Sequence, residues 1–360
     1  MVLTILIAFI SLIGLVTLHE FGHFIVAKKF GVKVEEFGIG FPPRIIGKKI
    51  GETIYSINLL PLGAFVKMPG EIGEKSDDSR SFSNQEVWKR ALIAFAGVLS
   101  FWIIAAVLFS IVFILGTAVS IDDEANGNLV NPAVQIAAIS AGSPAEMAGL
   151  KPGDAIKEII IDNQKFSIDK IKQIQEITNN NLGKELILNV ERGKEIFETK
   201  ITPRVLPPKG EGPMGVTLVR TAIKSYSWYQ APWQGILATI NMTKAVIQGY
   251  LQAIKNKISG LPTGVDLMGP VGIFHLFTQV SKLGASYFLQ FVGMVAIYIA
   301  IFNILPIPAV DGGKLLFLGI EAIRRKPIPP KIEEKITAAF FMALILLMVF
   351  VTIKDVVRLF

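Results

Sequence analysis

The sequence predicts a polytopic α-helical membrane protein with four transmembrane helices and an inserted α+β domain, and three observations lead to that class. Of 360 residues, 51% are hydrophobic and only 18% charged, and the mean hydropathy is +0.53, too apolar for one ordinary soluble domain. Four runs without a charge, 1–18, 91–121, 283–310 and 336–353, are each long enough to cross about 30 Å of hydrocarbon at about 1.5 Å per helical residue. Between the second and third runs, short alternating segments are separated by Gly, Pro and Asn, the pattern of a small folded domain.

The first run has no basic residue ahead of it and no small-residue cleavage site behind it, so it is expected to stay on the chain. At its end stands HEFGH, residues 19–23. On a helix, His19 and His23 at i and i+4 project from one face, so two imidazoles can grip one Zn²⁺ while Glu20, one step round, addresses a water beside it. An ionisable side chain at membrane depth costs about 2.5 to 3.5 kcal/mol on insertion scales and is tolerated mainly for function. The chain has no cysteine, so any metal must take imidazole and carboxylate.

Basic residues set the orientation. Lys28, Lys29, Lys33, Arg44, Lys48 and Lys49 follow the first run, Lys89 and Arg90 precede the second, and Arg324, Arg325, Lys326 and Lys331 lie between the last two. By the positive-inside rule these loops are cytoplasmic, and both termini and the segment 122–282 face outward. The net charge of +7 is thereby explained without a nucleic-acid partner.

The chain then divides into 1–121 (two spans and the loop between them), 122–222 (the outer domain), 223–282 (a helix and linker) and 283–360 (two further spans). In the outer domain, residues 136–166 read as a strand, a turn at Gly142, a short helix over 144–147 stopped by Gly149, and a Pro152-Gly153-Asp154 turn into a second strand. Alternating runs at 186–190, 197–201 and 214–219 close a small sheet. The string GSPAEMAGLKPGD resembles the bacterial type of PDZ domain, which implies recognition of peptide termini by strand addition. In 226–258, Ile236, Ile240, Ile247, Leu251, Ile254 and Ile258 recur at steps of three, four or seven opposite Asn241, Lys244, Gln248 and Lys255, and Trp228, Tyr229 and Trp233 suit an interface belt. An in-plane amphipathic helix is expected there. A full span would put Asp311 on the opposite face from His23.

Two histidines leave a zinc site incomplete, since a catalytic Zn²⁺ usually takes three protein ligands. His275, the third histidine, falls on the outer side and is expected to be interfacial. The better candidate is Asp311 in NILPIPAVDGG, where Pro306 and Pro308 break the helix, and Gly312 and Gly313 permit close backbone approach and unusual dihedrals. Irregular backbone at membrane depth is tolerated where it lines a cavity.

HEFGH in the first span, the PDZ string after the second and NILPIPAVDGG in the third together resemble the site-2 proteases, intramembrane zinc metalloproteases, in the bacterial regulator-of-sigma-E-protease form with a single PDZ domain. The likeness extends to PLGAFVKM at 61–68 and MGPVGIF at 268–274. It implies His19, His23 and Asp311 as ligands of Zn²⁺, Glu20 as catalytic acid and base, and Asn303 with Pro306 and Pro308 in substrate positioning. It also implies a membrane-associated β-hairpin over 32–68, whose edge pairs with an unwound substrate. Three departures stand out: GFPP at 40–43 where the family has GFGP, PLGAFVKM for PLGGYVKM, and Val310 for leucine.

The implied activity is cleavage of transmembrane segments of single-span proteins in a bacterial inner membrane, as in regulated intramembrane proteolysis of anti-sigma factors or clearance of signal-peptide remnants. A catalytically inactive membrane-anchored PDZ adaptor is the alternative, but a scaffold has no need of His19, Glu20, His23 and Asp311 together. A metal carrier predicts further acidic or histidine groups along the spans, and these are absent from the sequence.

Overall fold

The structure, a computed structural model, describes residues 2–71, 77–125, 129–193, 195–208, 210–261 and 268–359; part of the expected linker, 262–267, falls outside them. It divides into two units. One comprises Met1–Ile111, Pro232–Gln279 and Leu289–Phe360, the other Val112–Ala231 and Val280–Phe288.

The first unit holds most of the long helices. α1 (Val2–Lys29), α2 (Val87–Leu115), α7 (Ala285–Ile304) and α9 (Pro330–Leu359) are long and apolar enough to cross a membrane. Exposed side chains such as Ile103, Val107, Leu346 and Phe350 give these helices a surface suited to lipid. Their ends differ from the uncharged runs for local reasons. α1 continues through HEFGH to Lys29 and closes on Gly31 (φ 75°), with Val32 N–H donating to Ala27 O and Gly31 N–H to Lys28 O, the bond pair of a Schellman cap. α2 stops at Gly116 (φ 91°), and the β-branched Thr117 and Val119 pass into a strand. α7 ends at Ile304 because Pro306 and Pro308 cannot continue it.

The loop after α1 is a long hairpin, β1 (Glu36–Ile50) and β2 (Thr53–Lys67). Its register doubles back: residues 36–39 lie beside 54–57 on one side and 64–67 on the other, while 44–50 cover 53–58. Four short segments thus make one sheet, with 64–67 at an edge that no other described strand covers. Gly40 (φ 78°) is required at the fold-over, since a Cβ there would lie 2.8 Å from Leu60 O. Inside the sheet, Ser56 Oγ donates to Glu36 Oε1 at 2.6 Å and Asn58 Nδ2 to Gly40 O at 3.2 Å. Outside it, Ile45, Ile46, Ile57 and Leu59 are exposed. Gly63 lies against Val16 of α1, one turn before His19, so the hairpin packs beside α1.

α5 (Ala231–Ile258) differs from the expected in-plane helix. Trp102 Nε1 donates to Thr243 Oγ1 at 3.2 Å, and at Gly235 a Cβ would overlap Ala106 O and Ser110 Oγ. Falling numbers in α2 meet rising numbers in α5, so 235–243 runs antiparallel beside a spanning helix. A single glycine removes the side chain that would hold the two backbones apart. α6 (Pro270–Lys282) begins on a distant carboxylate: Asp355 Oδ2 in α9 accepts from Gly269 and Gly272 N–H, each at 2.8 Å. Glycine is needed at both positions because a Cβ would press on that oxygen.

The second unit is the inserted domain. Its sheet runs β3 (Thr117–Ser120), β9 (Val216–Lys224), β4 (Val130–Ile139), β5 (Ala155–Ile161), β7 (Leu186–Arg192), β8 (Glu195–Ile201), with β6 (Gln164–Ser167) paired to β5. Two short helices pack with it, α3 (Pro144–Met147), whose N-cap Ser143 accepts from Glu146 N–H, and α4 (Ile171–Asn180). Val134, Ile136, Ile156, Ile159, Ile174, Leu186 and Leu188 form the core, each fully buried Ile or Leu contributing about 1.5 to 3 kcal/mol. The Pro152-Gly153-Asp154 turn is fixed by Asp154, which is 1% exposed and is held by Arg192 Nε at 2.6 Å, Arg192 Nη2 at 2.7 Å and Lys151 N–H at 2.8 Å. These donors satisfy a carboxylate that burial alone would penalise.

Candidate active site

The three groups that the sequence singled out as metal ligands meet. His19 Nε2 lies 3.3 Å from Asp311 Oδ2, and His23 Nε2 lies 3.5 Å from Asp311 Oδ1. One ligand atom from each residue falls within 4.8 Å of the other two. A tetrahedron with arms of about 2.1 Å, the length of zinc bonds to nitrogen and oxygen, has edges of about 3.4 Å. The separations therefore suit a shared cation, and Asp311 Oδ2, buried and without a hydrogen bond, is left free for one.

Each ligand is aimed by its surroundings. His23 Nδ1 lies 2.8 Å from Ile93 O; a carbonyl only accepts, so the proton sits on Nδ1 and Nε2 keeps its lone pair. The His19 ring stacks on Phe101 at 4.6 Å and 16°, and the two imidazoles meet edge to face at 4.7 Å. Space for them comes from glycine. At Gly97 of α2 a Cβ would overlap His23 Nε2, and at Gly22 of α1 one would lie 2.7 Å from Ala96 O. Sequence reasoning misses this notch, although the small residues Ala94, Ala96, Gly97 and Ser100 mark it.

Asp311 is the first residue of α8 (Asp311–Arg324), where the helix dipole favours a negative charge. The DGG glycines act by size alone. Neither has a positive φ, so unusual dihedrals play no part; instead a Cβ at Gly312 would overlap Leu305 O, and one at Gly313 would overlap Ile307 O and lie 2.6 Å from Pro308 Cα. The 305–310 segment thus folds directly onto the start of α8. Pro308 is buried there, while Pro306 is exposed. Asn303 Nδ2 donates to Ile299 O at 3.0 Å within its own helix.

Glu20 stands beside the cluster, within electrostatic reach of His23, Asp311 and Glu71, and the Val66 backbone N–H faces its carboxylate. The 64–67 segment of the hairpin, at the edge without a described partner strand, is thereby set against Glu20, an acid that is not a candidate ligand. His275 lies elsewhere, in α6, where Nε2 is 2.7 Å from Gln279 Nε2.

Comparison with known proteins agrees with this geometry. The sequence profile of peptidase family M50 matches residues 7–348. A Clostridium perfringens protein named as a candidate zinc metalloprotease is 34% identical over 356 residues, covering 98% of each chain. The zinc metalloprotease RasP of Oceanobacillus iheyensis is 28% identical over 99% of this chain and 100% of its own. The regulator of sigma-W protease RasP of Bacillus subtilis is 29% identical over 98% of both.

Proposed function

The chain belongs to peptidase family M50, and on that premise we propose that it is an intramembrane zinc endopeptidase cutting the transmembrane segments of single-span membrane proteins. The observation that carries this reading is the His19, His23 and Asp311 cluster, its 3.3 and 3.5 Å separations lying beside Glu20 on a helix fit to span a bilayer. Zinc suits two imidazoles and a carboxylate with a fourth position open, and when bound it supplies polarisation of a carbonyl and a water acidic enough to ionise near neutral pH.

The protein's own groups do the rest. Glu20 takes the proton of the attacking water and returns it to the leaving amine. A substrate helix hides its carbonyls in hydrogen bonds that no water competes for, so it must be unwound first. The 64–67 edge, which has no described partner strand, is where an unwound peptide adds in the manner of strand addition, next to Glu20. Asn303, Pro306 and Pro308 shape the broken backbone beside Asp311 and position the substrate. A cluster near the cytoplasmic ends of its helices has access to water. By the positive-inside rule, the lysines and arginines around those ends favour an orientation with the termini and the inserted domain outside a bacterial inner membrane.

Processing of anti-sigma factors or of signal-peptide remnants is the matching cellular role, in line with the regulatory name of the Bacillus relative. The experiment is reconstitution of the purified chain with a single-span substrate. Expected are about one zinc per chain, cleavage within the substrate's span, and loss of both on chelation with return on adding zinc; zinc without cleavage would favour the adaptor.

The inserted domain acts as a PDZ module for peptide termini. A groove of about 470 Å³ runs between α4, through Ile171, Ile174 and Thr178, and the start of β9, through Met214, Val216 and Leu218. β3 pairs only with 221–224, leaving the same edge of β9 without a described partner strand at 216–219. The full chain is expected to bind a peptide with an apolar terminal residue and a free carboxylate at least tenfold more tightly than its amidated form. Equal binding would sink the assignment.

A further inference from the structure

One ammonium group ties the helix that begins with Asp311 to the strand that faces Glu20. Lys314 stands one turn after Asp311 on the same side of α8. Its Nζ lies 2.8 Å from Glu71 Oε1 and 4.3 Å from the centroid of the Phe82 ring. Glu71 follows the end of β2 by four residues, and Phe82 packs in one apolar cluster with Val66 and Met68. Both contacts therefore reach the base of the strand whose 64–67 edge meets the site.

The pair is partly shielded, its side chains 22% and 30% exposed, so it is screened less than a surface pair. A cavity of about 480 Å³, lined by Glu71, Phe82, Lys314, Phe317 and Glu321, opens beside it. A further ion pair of α8, Glu321 with Arg90, fastens that helix to α2 and does not reach the hairpin. Lys314 is also close enough to Asp311, and Glu71 to Glu20, for each charge to be felt.

We propose that Lys314 is a positioning residue for peptide cleavage. Through Glu71 and Phe82 it holds the 64–67 edge at a fixed distance from Asp311, so that a peptide docked on that edge presents its scissile bond to the ligand cluster. The inference rests on the peptidase reading above. Misplacement by about 1 Å costs on the order of 100-fold in rate, and loss of one strut permits movement on that scale.

The test compares wild type, Lys314→Met, Lys314→Arg, Glu71→Gln and the Lys314→Met, Glu71→Gln double variant in proteoliposomes, reading zinc content, kcat and KM. Lys314→Met is expected to lower kcat about tenfold or more, with KM within about twofold and zinc content unchanged. Lys314→Arg, which can keep both contacts, stays within about threefold of wild type. Glu71→Gln, which keeps an acceptor oxygen but loses the charge, falls in the same direction as Lys314→Met, and the double variant is no worse than Lys314→Met alone, because the same ion pair is lost in all three.

Wild-type kcat in Lys314→Met, or losses that multiply in the double variant, overturns the proposal. Should Lys314→Met fail to assemble, Glu71→Leu breaks the same contact from the loop side and its kcat decides, with Lys314→Arg as its control. Wild type that binds no zinc and cuts nothing overturns the peptidase reading, and the strut with it.

Discussion

Glu20→Gln is expected to stop cleavage while leaving the metal in place. The amide has nearly the shape of the carboxylate but cannot take a proton from water, and general acid–base catalysis of this kind contributes about 10²- to 10⁴-fold in rate. A fall of at least 100-fold in kcat is the expected readout. Zinc content is expected to equal that of wild type, because the ligand cluster consists of His19, His23 and Asp311 and Glu20 lies beside it. The unfolding temperature is likewise expected to stay within a few degrees, as the change removes no apolar contact. Residual turnover above about a tenth of the wild-type rate would show that another group carries the proton.

The second large effect comes from adding one methyl group. In Gly97→Ala the new Cβ would occupy space filled by the His23 ring, lying 2.7 Å even from Cδ2 and closer to Nε2. The ring cannot simply swing aside, because Nδ1 is held by Ile93 O, one turn earlier in the same helix. α2 cannot back away without opening the Gly22 and Ala96 contact. His23 must therefore leave its ligand position.

A drop in zinc affinity of about 10- to 100-fold, the usual cost of disturbing what orients a ligand, is expected. Activity should fall in step and recover in part with excess zinc. Gly14→Ala is the control, since nothing lies within 4 Å of its would-be Cβ; alanine there is expected to be neutral or slightly stabilising. Wild-type affinity in Gly97→Ala would mean that the two helices meet differently.

How much of this is legible in the sequence follows from which interactions are local. The spans are readable because a lipid-facing helix needs nothing but length and apolarity, and their ends are missed where one glycine or proline decides them, as at Gly116 and Pro306. The candidate ligands are readable because HEFGH fixes its spacing along one helix turn and DGG supplies the only acid in an otherwise apolar run. What His19, His23 and Asp311 have in common can be named from sequence; what holds them cannot.

Gly97 and Phe101 shape the site from a second helix, and Lys314 with Glu71 from a third and a loop, contacts that no periodicity announces. The hairpin is a similar case. Alternation over 53–60 suggests a strand, yet the doubling back of 36–39 between two partners depends on Gly40 and on pairings more than 15 residues apart. α4, whose Ile171, Ile174 and Thr178 line the groove of the inserted domain, escapes a sequence reading because its N-cap is Lys170; the carboxylate of Asp123, 48 positions away, accepts from Ile171 N–H instead. The sequence of α5 shows its amphipathic character but suggests a helix lying flat, because Gly235 counts as a weak helix residue until the partner backbone is known.

Asp355 and the two backbone amides it accepts from are 86 and 83 positions apart. During synthesis α6 is therefore made well before the group that completes its first turn, and it must wait, frayed at that end, until most of α9 has been threaded into place. Shortening the chain inside α9 would be felt at the far end of α6, in a segment whose own sequence is untouched. A tag appended after residue 360 is expected to leave the arrangement whole, whereas a stop codon at 350 removes Asp355.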